Sequence, residues 1–502
     1  MSGFLRTRLR DAFAADLRAL AAARIAIGSL LLVDLLIRAR DLRAHYSDAG
    51  VLPVGPLREQ WLSGWRWSLH GWSGSPAFEA ALFVLAGVAA LGLALGWRTR
   101  WVTVAAWVLT VSLQNRNPLV LTGADSLLRA LVLWGCFLPW GDRWSLDARR
   151  RQLHATAGAV VTTIGTVAWT CQVLLVHVVA GLLKTGDEWR KSFTAVYYTL
   201  HIDQYQLPLG EVLLRLPDRA LRLATAEVLL AELLVPFLLL GGLLAPRFRD
   251  RLRVAAVIVL AALHLGLAAT LALGLFPWIN VASLLLFLPG GVWSWLERRF
   301  AGRGASHARA PEVVATSTWG RASTLWQTGL GAALLGLVLW WNLATLPVAA
   351  NLPKPQPARA VVEVLRLDQR WNLFAPRPMT DDGWYVVPGA LENGDVVDVY
   401  RGGIPVRLGE LDARSKPADV SADLGGYRWR KYLQNLRLSR YRRHRALYAG
   451  YLCREWNRGR EGGERVAALQ LVYVRERTPP PGGVAEVEPV GLGHFPCAPP
   501  GG

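Results

Sequence analysis

The chain has 502 residues, of which 52% are hydrophobic and only 19% are charged, and its mean hydropathy is +0.26. Soluble domains carry about a quarter charged residues and lack long uncharged runs, so a purely soluble protein is excluded. The net charge of +19 comes mostly from arginines between the apolar runs. That placement is typical of membrane topology and argues against a nucleic-acid partner.

About nine apolar segments follow one another along the chain, and several are long enough to cross ~30 Å of hydrocarbon. Their expected limits are 18–37, 77–96, 101–114, 124–140, 157–182, 224–244, 254–273, 276–289 and 327–346. The third, fourth and eighth are short, as in tilted or re-entrant segments surrounded by protein. We predict a mainly α-helical, polytopic transmembrane bundle over residues 1–350.

The arginine distribution predicts how the bundle is oriented. Arginines concentrate in alternate loops, whereas the short opposing loops near 114–123 and 273–277 contain only Arg116. Two longer opposing loops, 38–76 and 184–222, carry charge and are exceptions. By the positive-inside rule, the N-terminus is cytoplasmic, 300–322 is a cytoplasmic linker, and everything after about 350 lies on the outer face.

The C-terminal region differs in composition from the bundle. Residues 351–476 are rich in charge and contain strand-like runs at 384–389, 395–401 and 466–476, with a basic amphipathic helix over 427–456. This pattern predicts a small extracytoplasmic α+β domain, followed by a disordered Pro/Gly-rich tail over 477–502. A disulfide between Cys453 and Cys497 is sterically conceivable there, although it would join the domain to that tail.

The strongest candidate site is at the outer end of the fifth apolar segment. His177 and Lys184 are seven residues apart, so a helix places them on one face about two turns (~10 Å) apart, with Gly181 leaving that face open. Burial favours the neutral form of an amine, which makes Lys184 a plausible base. The structural alternative is that Lys184 extends to the lipid headgroups and His177 bonds a neighbouring helix.

Other ionisable groups in apolar segments are candidates because charge is costly there. Asp125 and Arg129 are at i and i+4 and should pair, either beside a water-accessible cavity with Asn117 or as a salt bridge between helices. Glu232 and His264 are further pocket candidates, each with a structural role as the alternative. The sequence shows no motif typical of a metal site.

Several segments resemble the bacterial HTTM family, whose membrane domain is shared with vitamin K-dependent gamma-carboxylase. These segments include RIAIGSLLLVDLLIRARDLRAHYSDAGVLP, NRNPLVLTGADSLLR, FLPWGDRWSLD, VVAGLLKTGDEW, HLGLAATLALGLFPWINVASLLLFLP and DQRWNLFAPRPMTDDGWYVVPG. The similarity covers about residues 15–475. It implies a protein of the bacterial plasma membrane, with the lipid bilayer as its surroundings.

The resemblance also implies a chemistry. In the carboxylase a lysine in an AGxKK-L-like stretch, followed by a tryptophan, deprotonates reduced vitamin K. Residues 180–184 with Trp189 match that stretch and place Lys184 at the base. Asp125 stands where the carboxylase has a histidine, which reverses the charge at a second site and counts against glutamate carboxylation itself.

Three functions are consistent with these patterns. The first is a carboxylase-like, carbon–carbon bond-forming membrane enzyme, with Lys184 acting on a reduced vitamin K-type quinol or another lipophilic substrate and a protein or peptide substrate at the outer face. The second is a non-catalytic binding or maturation module with an outer docking domain. The third is a transporter, which ranks last because the sequence shows no inverted repeat.

Overall fold

The computed structural model describes residues 3–152, 159–300, 321–406, 409, 411–480 and 482–497. The expected cytoplasmic linker therefore lies almost wholly outside the described residues. The helices are α1 (Gly3–Ala12), α2 (Leu17–Arg40), α3 (Leu42–Tyr46), α4 (Val54–Gln60), α5 (Pro76–Leu95), α6 (Thr99–Arg116), α7 (Gly123–Gly135), α8 (Leu146–Arg150), α9 (Ile164–Leu183), α10 (Asp187–Arg190), α11 (Ala195–Leu200), α12 (Pro208–Leu213), α13 (Asp218–Leu238), α14 (Gly241–Leu244), α15 (Arg249–Thr270), α16 (Phe276–Leu284), α17 (Gly290–Phe300), α18 (Arg321–Leu343), α19 (Gln356–Leu365), α20 (Val420–Asp423), α21 (Tyr427–Leu436) and α22 (Arg443–Asn457). The strands are β1 (Ala15–Asp16), β2 (Val160–Val161), β3 (Asp381–Val386), β4 (Pro388–Leu391), β5 (Val396–Asp398), β6 (Ile404–Pro405), β7 (Val466–Arg477) and β8 (Glu486–Pro496).

Each predicted apolar segment contains a helix, and the fold is mainly helical, as expected. Within the described residues, four helical segments are long and apolar enough to cross a membrane: Leu17–Arg40, Pro76–Leu95, Ile164–Leu183 and Pro246–Thr270. A fifth candidate is the pair Phe276–Phe287 and Gly290–Phe300, which is bent by 101°. The count of nine spans is therefore not confirmed, since the remaining helices are too short or too polar to qualify by themselves.

Neighbouring helices of the bundle run in opposite directions and pack closely. Arg24, in the first half of α2, donates to the carbonyl of Leu93 at the end of α5 (2.7 Å). Glu79, at the start of α5, accepts from Arg116 at the end of α6 (3.1 Å). A side chain at Gly28 would lie 2.7 Å from the α5 backbone, so glycine permits the close α2–α5 contact.

Strong local signals set the ends of the long helices. Asp16 caps α2 by accepting from the Arg18 amide (2.8 Å), and Thr163 and Thr166 form a reciprocal capping box at the start of α9. Gly96 ends α5 in the left-handed conformation, with φ of 69°. These caps satisfy amides and carbonyls that a helix end otherwise leaves without a partner.

The C-terminal region forms an antiparallel sheet against α21 and α22, as the strand-like runs predicted. The long strand β7 pairs with β3 and β4 along one edge and with β8 along the other, and β5 and β6 extend the sheet beyond β4. Its core also includes Val51, Leu119 and Val120 from loops of the helical bundle. The sheet region therefore shares a core with one end of the bundle.

The predicted disordered tail is wrong over most of its described length. Residues 486–496 form β8, which pairs with β7 over ten positions, and Cys497 is disulfide-bonded to Cys453 on α22. The proline and glycine content of this segment indicates disorder only for an isolated chain. Pairing with β7 satisfies its backbone groups, and the disulfide fixes its end.

Candidate functional site

Lys184 lies at the C-terminal end of α9 and turns inward. Its side chain is 2% exposed, and Nζ donates to Glu232 Oε2 on α13 at 2.6 Å. The same ammonium lies 4.9 Å from the centre of the Trp189 ring. A Cβ at Gly181 would lie 2.8 Å from the Leu233 side chain, so glycine brings α9 and α13 close enough for the ion pair. Lys184 is therefore a buried, paired cation and does not extend away from the protein.

His177 and His264 form a second buried pair near Lys184. Their Nε2 atoms are 3.0 Å apart, and His177 Nδ1 donates to the Val173 carbonyl (2.8 Å). A neutral His177 must then accept at Nε2 from the Nε2–H of His264, which leaves His264 Nδ1 as a lone-pair acceptor. Within the described part of the chain, that buried Nδ1 has no hydrogen-bond partner.

These four side chains line one cavity of about 650 Å³. Its walls are mostly apolar and come from α9, α11, α12, α13, α15 and the loop before α16, while α21 and the segment 370–379 line it from the side of the C-terminal region. The apolar side chains include Val176, Val196, Leu200, Leu213, Val228, Leu263, Leu267, Leu271, Leu273, Phe276, Leu373 and Phe374. A largely apolar cavity with a few clustered polar groups is typical of a small-molecule site.

The expected pairing of Asp125 with Arg129 is wrong. Asp125 is at the third position of α7, where it accepts from the Thr122 amide (2.6 Å) and faces α2 and α21. Arg129 donates instead to the carbonyls of Arg366 (2.7 Å) and Asp368 (3.0 Å), and to Gln114. The helix cap and the two arginines Arg38 and Arg428 occupy the Asp125 carboxylate, and the carbonyls and Gln114 occupy the Arg129 guanidinium.

Asp125 belongs to a closed network of four buried charges. Arg428 on α21 donates to Asp125 (2.7 Å) and to Asp34 on α2 (2.5 Å), and Arg38 donates to the same two carboxylates. Two guanidinium groups therefore neutralise two carboxylates where the sheet region meets the bundle. These four residues and Arg129 do not line the cavity.

Asn117 also has a structural role. Its amide donates to the His45 carbonyl (3.0 Å), and its oxygen accepts from the Leu119 amide (3.2 Å), which begins a short 3₁₀ turn. Of the six predicted pocket residues, the structure brings His177, His264 and Glu232 together with Lys184. It places Asn117, Asp125 and Arg129 elsewhere.

Sequence reasoning missed the contribution of the C-terminal region to the cavity. The segment around Phe374 lies against Lys184 because Trp189 donates to the Phe374 carbonyl (2.9 Å) and Gly186 donates to the Pro376 carbonyl (2.9 Å). Arg430 and Lys431 of α21 also line the cavity. The only sequence signal was that DQRWNLFAPRP lay within the family-like segments.

A carboxylate cluster between the sheet region and the loop after α11 was also missed. Asp203, Asp382 and Glu476 have oxygens within 4.8 Å of one another. The Lys416 ammonium lies among them, 2.6 Å from Asp203 and 2.5 Å from Glu476. This lysine supplies the positive charge that the carboxylates require.

Comparison with known families identifies the class of protein. The HTTM domain family matches residues 14–293, more than half of the chain and all of the segment that carries Lys184, Glu232, His177 and His264. The chain therefore belongs to the HTTM-domain family and is a membrane protein, and its carboxylase-like resemblance is consistent with that membership. No curated protein and no solved structure matches it.

Proposed function

We propose that this protein is a membrane-embedded enzyme in which Lys184 acts as a base on a quinol-type or similar lipophilic substrate. The observation that supports this proposal is the placement of the Lys184–Glu232 pair and the His177–His264 pair in one largely apolar cavity. Charged groups in such surroundings are costly and are usually retained for function.

The proton between Lys184 and Glu232 can lie on the lysine nitrogen or on the carboxylate oxygen, and the net charge of the pair is the same in both cases. Transfer of one proton along the 2.6 Å hydrogen bond converts the ammonium and carboxylate into a neutral amine and a neutral acid. The neutral amine of Lys184 then accepts a proton from a substrate hydroxyl, and Glu232 stays beside the ammonium that forms. Trp189 holds that ammonium in place through its ring face.

The described residues fit a reduced vitamin K-type quinol. Apolar walls suit its ring and chain, and the unpartnered His264 Nδ1 can accept a hydrogen bond from a hydroxyl group. A bound quinol would supply the acidic hydroxyl and the reducing equivalents. We do not extend the proposal to glutamate carboxylation, because Asp125 lies in the four-charge network and not in the cavity.

The test compares two substitutions of Lys184 in full-length protein in nanodiscs. Arginine preserves a cation beside Glu232 but does not release its proton, so Lys184→Arg should fold and still lose activity. We expect both Lys184→Arg and Lys184→Met to lower the rate of vitamin K quinol oxidation by dissolved oxygen by about 10²–10⁴-fold. Quinone absorbance gives the rate, and thermal melting checks folding.

The matched control is Lys191→Met, since Lys191 is an exposed lysine paired with Asp187 outside the cavity. It should retain the wild-type rate. If the Lys184→Arg protein oxidised the quinol at the wild-type rate, the catalytic role of Lys184 would be overturned. Mass spectrometry of lipids that co-purify with the protein would then report whether a quinone binds at all.

The second candidate is a non-catalytic binding or maturation module with an outer docking domain. The observation that favours it is the complete pairing of Lys184 with Glu232 and Trp189, which is also what a structural lysine requires. In that case Lys184→Arg would preserve binding of partners, and deletion of the C-terminal region would abolish function.

The proposed setting is the plasma membrane of a bacterium, with nine spans, a cytoplasmic N-terminus and an extracytoplasmic C-terminal region. Support comes from the arginine-rich alternate loops and from the opposite directions of neighbouring helices. The Cys453–Cys497 disulfide supports an oxidising compartment for the sheet region. A protein or peptide partner would meet the cavity from that outer face.

A further inference from the structure

The cavity carries an excess of positive charge. Among its described lining residues Glu232 is the only carboxylate, and Lys184 already neutralises it. Four more cationic side chains line the cavity: Arg370, Arg377, Arg430 and Lys431. Arg377 is 3.8 Å from the Glu188 carboxylate, and Arg370 is exposed, so that solvent screens its charge. The two cations on α21 are therefore the least compensated.

Arg430 is buried and held by carbonyls alone. It donates to the carbonyls of Gln204 (2.6 Å) and Ala272, and its guanidinium stacks on the Tyr205 ring at 4.4 Å. Carbonyl oxygens satisfy its N–H groups without cancelling its charge. Burial correspondingly lowers the pKa of Arg430. The guanidinium is therefore rigidly positioned and still positive.

Lys431 is half-buried beside Arg430 and has no hydrogen-bond or ion-pair partner among the described residues. Burial lowers the pKa of Lys431, and the nearby Arg440, Arg437 and Arg430 lower it further. An amine in this position gains most from a ligand that brings a negative charge, since such a ligand relieves both repulsion and desolvation.

The apolar part of the cavity continues inward from these cations between α13 and α15, where Val228, Leu263 and Leu267 line it. We infer that the cavity binds an anionic amphiphile, with a carboxylate or phosphate group at Lys431 and Arg430 and an apolar chain along α13 and α15. This inference concerns binding and does not depend on whether Lys184 acts as a base.

The test uses full-length protein in phosphatidylcholine nanodiscs and three probes with the same sixteen-carbon chain: palmitate, hexadecyl phosphate and hexadecanol. We expect both anions to bind at least about tenfold more tightly than the alcohol, because only an anion makes charge-assisted hydrogen bonds to the two cations. Lys431→Gln should remove most of that difference and leave hexadecanol binding unchanged.

Lys431→Arg should keep anion binding, and the exposed control Lys191→Gln should behave as wild type. Competition by phosphatidylglycerol would identify a membrane phospholipid as the source of the anionic group, and no competition would identify single-chain anions. The inference would be overturned if the wild type bound palmitate and hexadecanol with equal affinity. It would also be overturned if Lys431→Gln melted at the wild-type temperature and bound palmitate as tightly as the wild type. Loss of quinol oxidation in Lys184→Arg with palmitate binding intact would separate this site from the proposed catalysis.

Discussion

At the scale of single residues, Asp382 is the clearest titrating group outside the membrane helices. Burial, together with the nearby Asp203 carboxylate, raises the pKa of Asp382 to about 8, although the Gln204 amide donates to it at 3.1 Å. The folded protein therefore binds this proton more tightly than the unfolded chain. The stability that Asp382 contributes is complete below about pH 4 and is lost as the pH rises through about 8.

Asp382→Asn should make stability less dependent on pH. Asparagine keeps an oxygen to accept from the Gln204 amide but does not titrate. Between about pH 5 and pH 8.5 we expect the fall in melting temperature of the wild type to be smaller in the variant by roughly 5 °C. Asp395→Asn, at an exposed turn position, is the control. Identical slopes in wild type and Asp382→Asn would contradict the prediction.

The residues of the candidate site were only partly predictable. Lys184 and His177 could be found because they share a helix face, and a repeat of 3.6 residues is visible in the sequence. Their partners could not be assigned, since Glu232 and His264 come from α13 and α15, and no local pattern says which helix packs on α9. The same limit explains the wrong Asp125–Arg129 pair, where a helix cap and distant carbonyls outweighed the i to i+4 spacing.

At the scale of elements, Arg428 is the residue of α21 that joins two helices of the bundle through ion pairs. Arg428 contacts both Asp34 on α2 and Asp125 on α7, and all three side chains are nearly fully buried. Removal of a partner from a buried ion network leaves uncompensated charge, which costs about 3–5 kcal/mol.

Arg428→Met should therefore loosen the attachment of α21 and lower thermal stability. We expect faster hydrogen exchange in residues 427–436, measured by mass spectrometry, together with a fall in melting temperature of roughly 6–15 °C. The control is Arg440→Met, an exposed arginine outside the four-charge network whose guanidinium lies 4.9 Å from the centre of the Tyr441 ring. Exchange at wild-type rates in Arg428→Met would show that the network does not hold α21.

Elements differed in how well the sequence predicted them. The apolar segments are helices and β3, β5 and β7 are strands because period and composition within each segment suffice for those assignments. The strand β8 was missed because its prolines and glycines resemble a tail. Its order comes from ten paired positions on β7, the preceding strand, and the composition of β8 by itself does not reveal that pairing.

At the scale of the whole molecule, the Cys453–Cys497 disulfide closes a loop across the sheet region. The two cysteines are 44 residues apart, and a loop of that length restricts the unfolded chain by about 4 kcal/mol in the chain-entropy model. Structural disulfides form and persist mainly in oxidising compartments, so detection of this one would support the proposed extracytoplasmic side for the sheet region.

Protein purified from membranes should run faster on a non-reducing gel than after reduction. Cys453→Ser should abolish the shift and lower the melting temperature. Cys136→Ser and Cys171→Ser should change neither, because those cysteines are unpaired. Maleimide labelling of all four cysteines in the denatured, unreduced wild type would contradict the disulfide and remove its support for the proposed extracytoplasmic placement.

The sequence by itself determined that this is a membrane protein with apolar helices, a charged C-terminal sheet region and an unusual lysine at a helix end. Those properties depend on composition and short-range period, which every segment carries within itself. Only the tertiary structure decided that Lys184 pairs with Glu232, that His177 pairs with His264, and that α21 closes their cavity with cations. Those contacts depend on which helix faces lie together, and that choice is made between segments distant in the sequence, where each buried charge needs a partner.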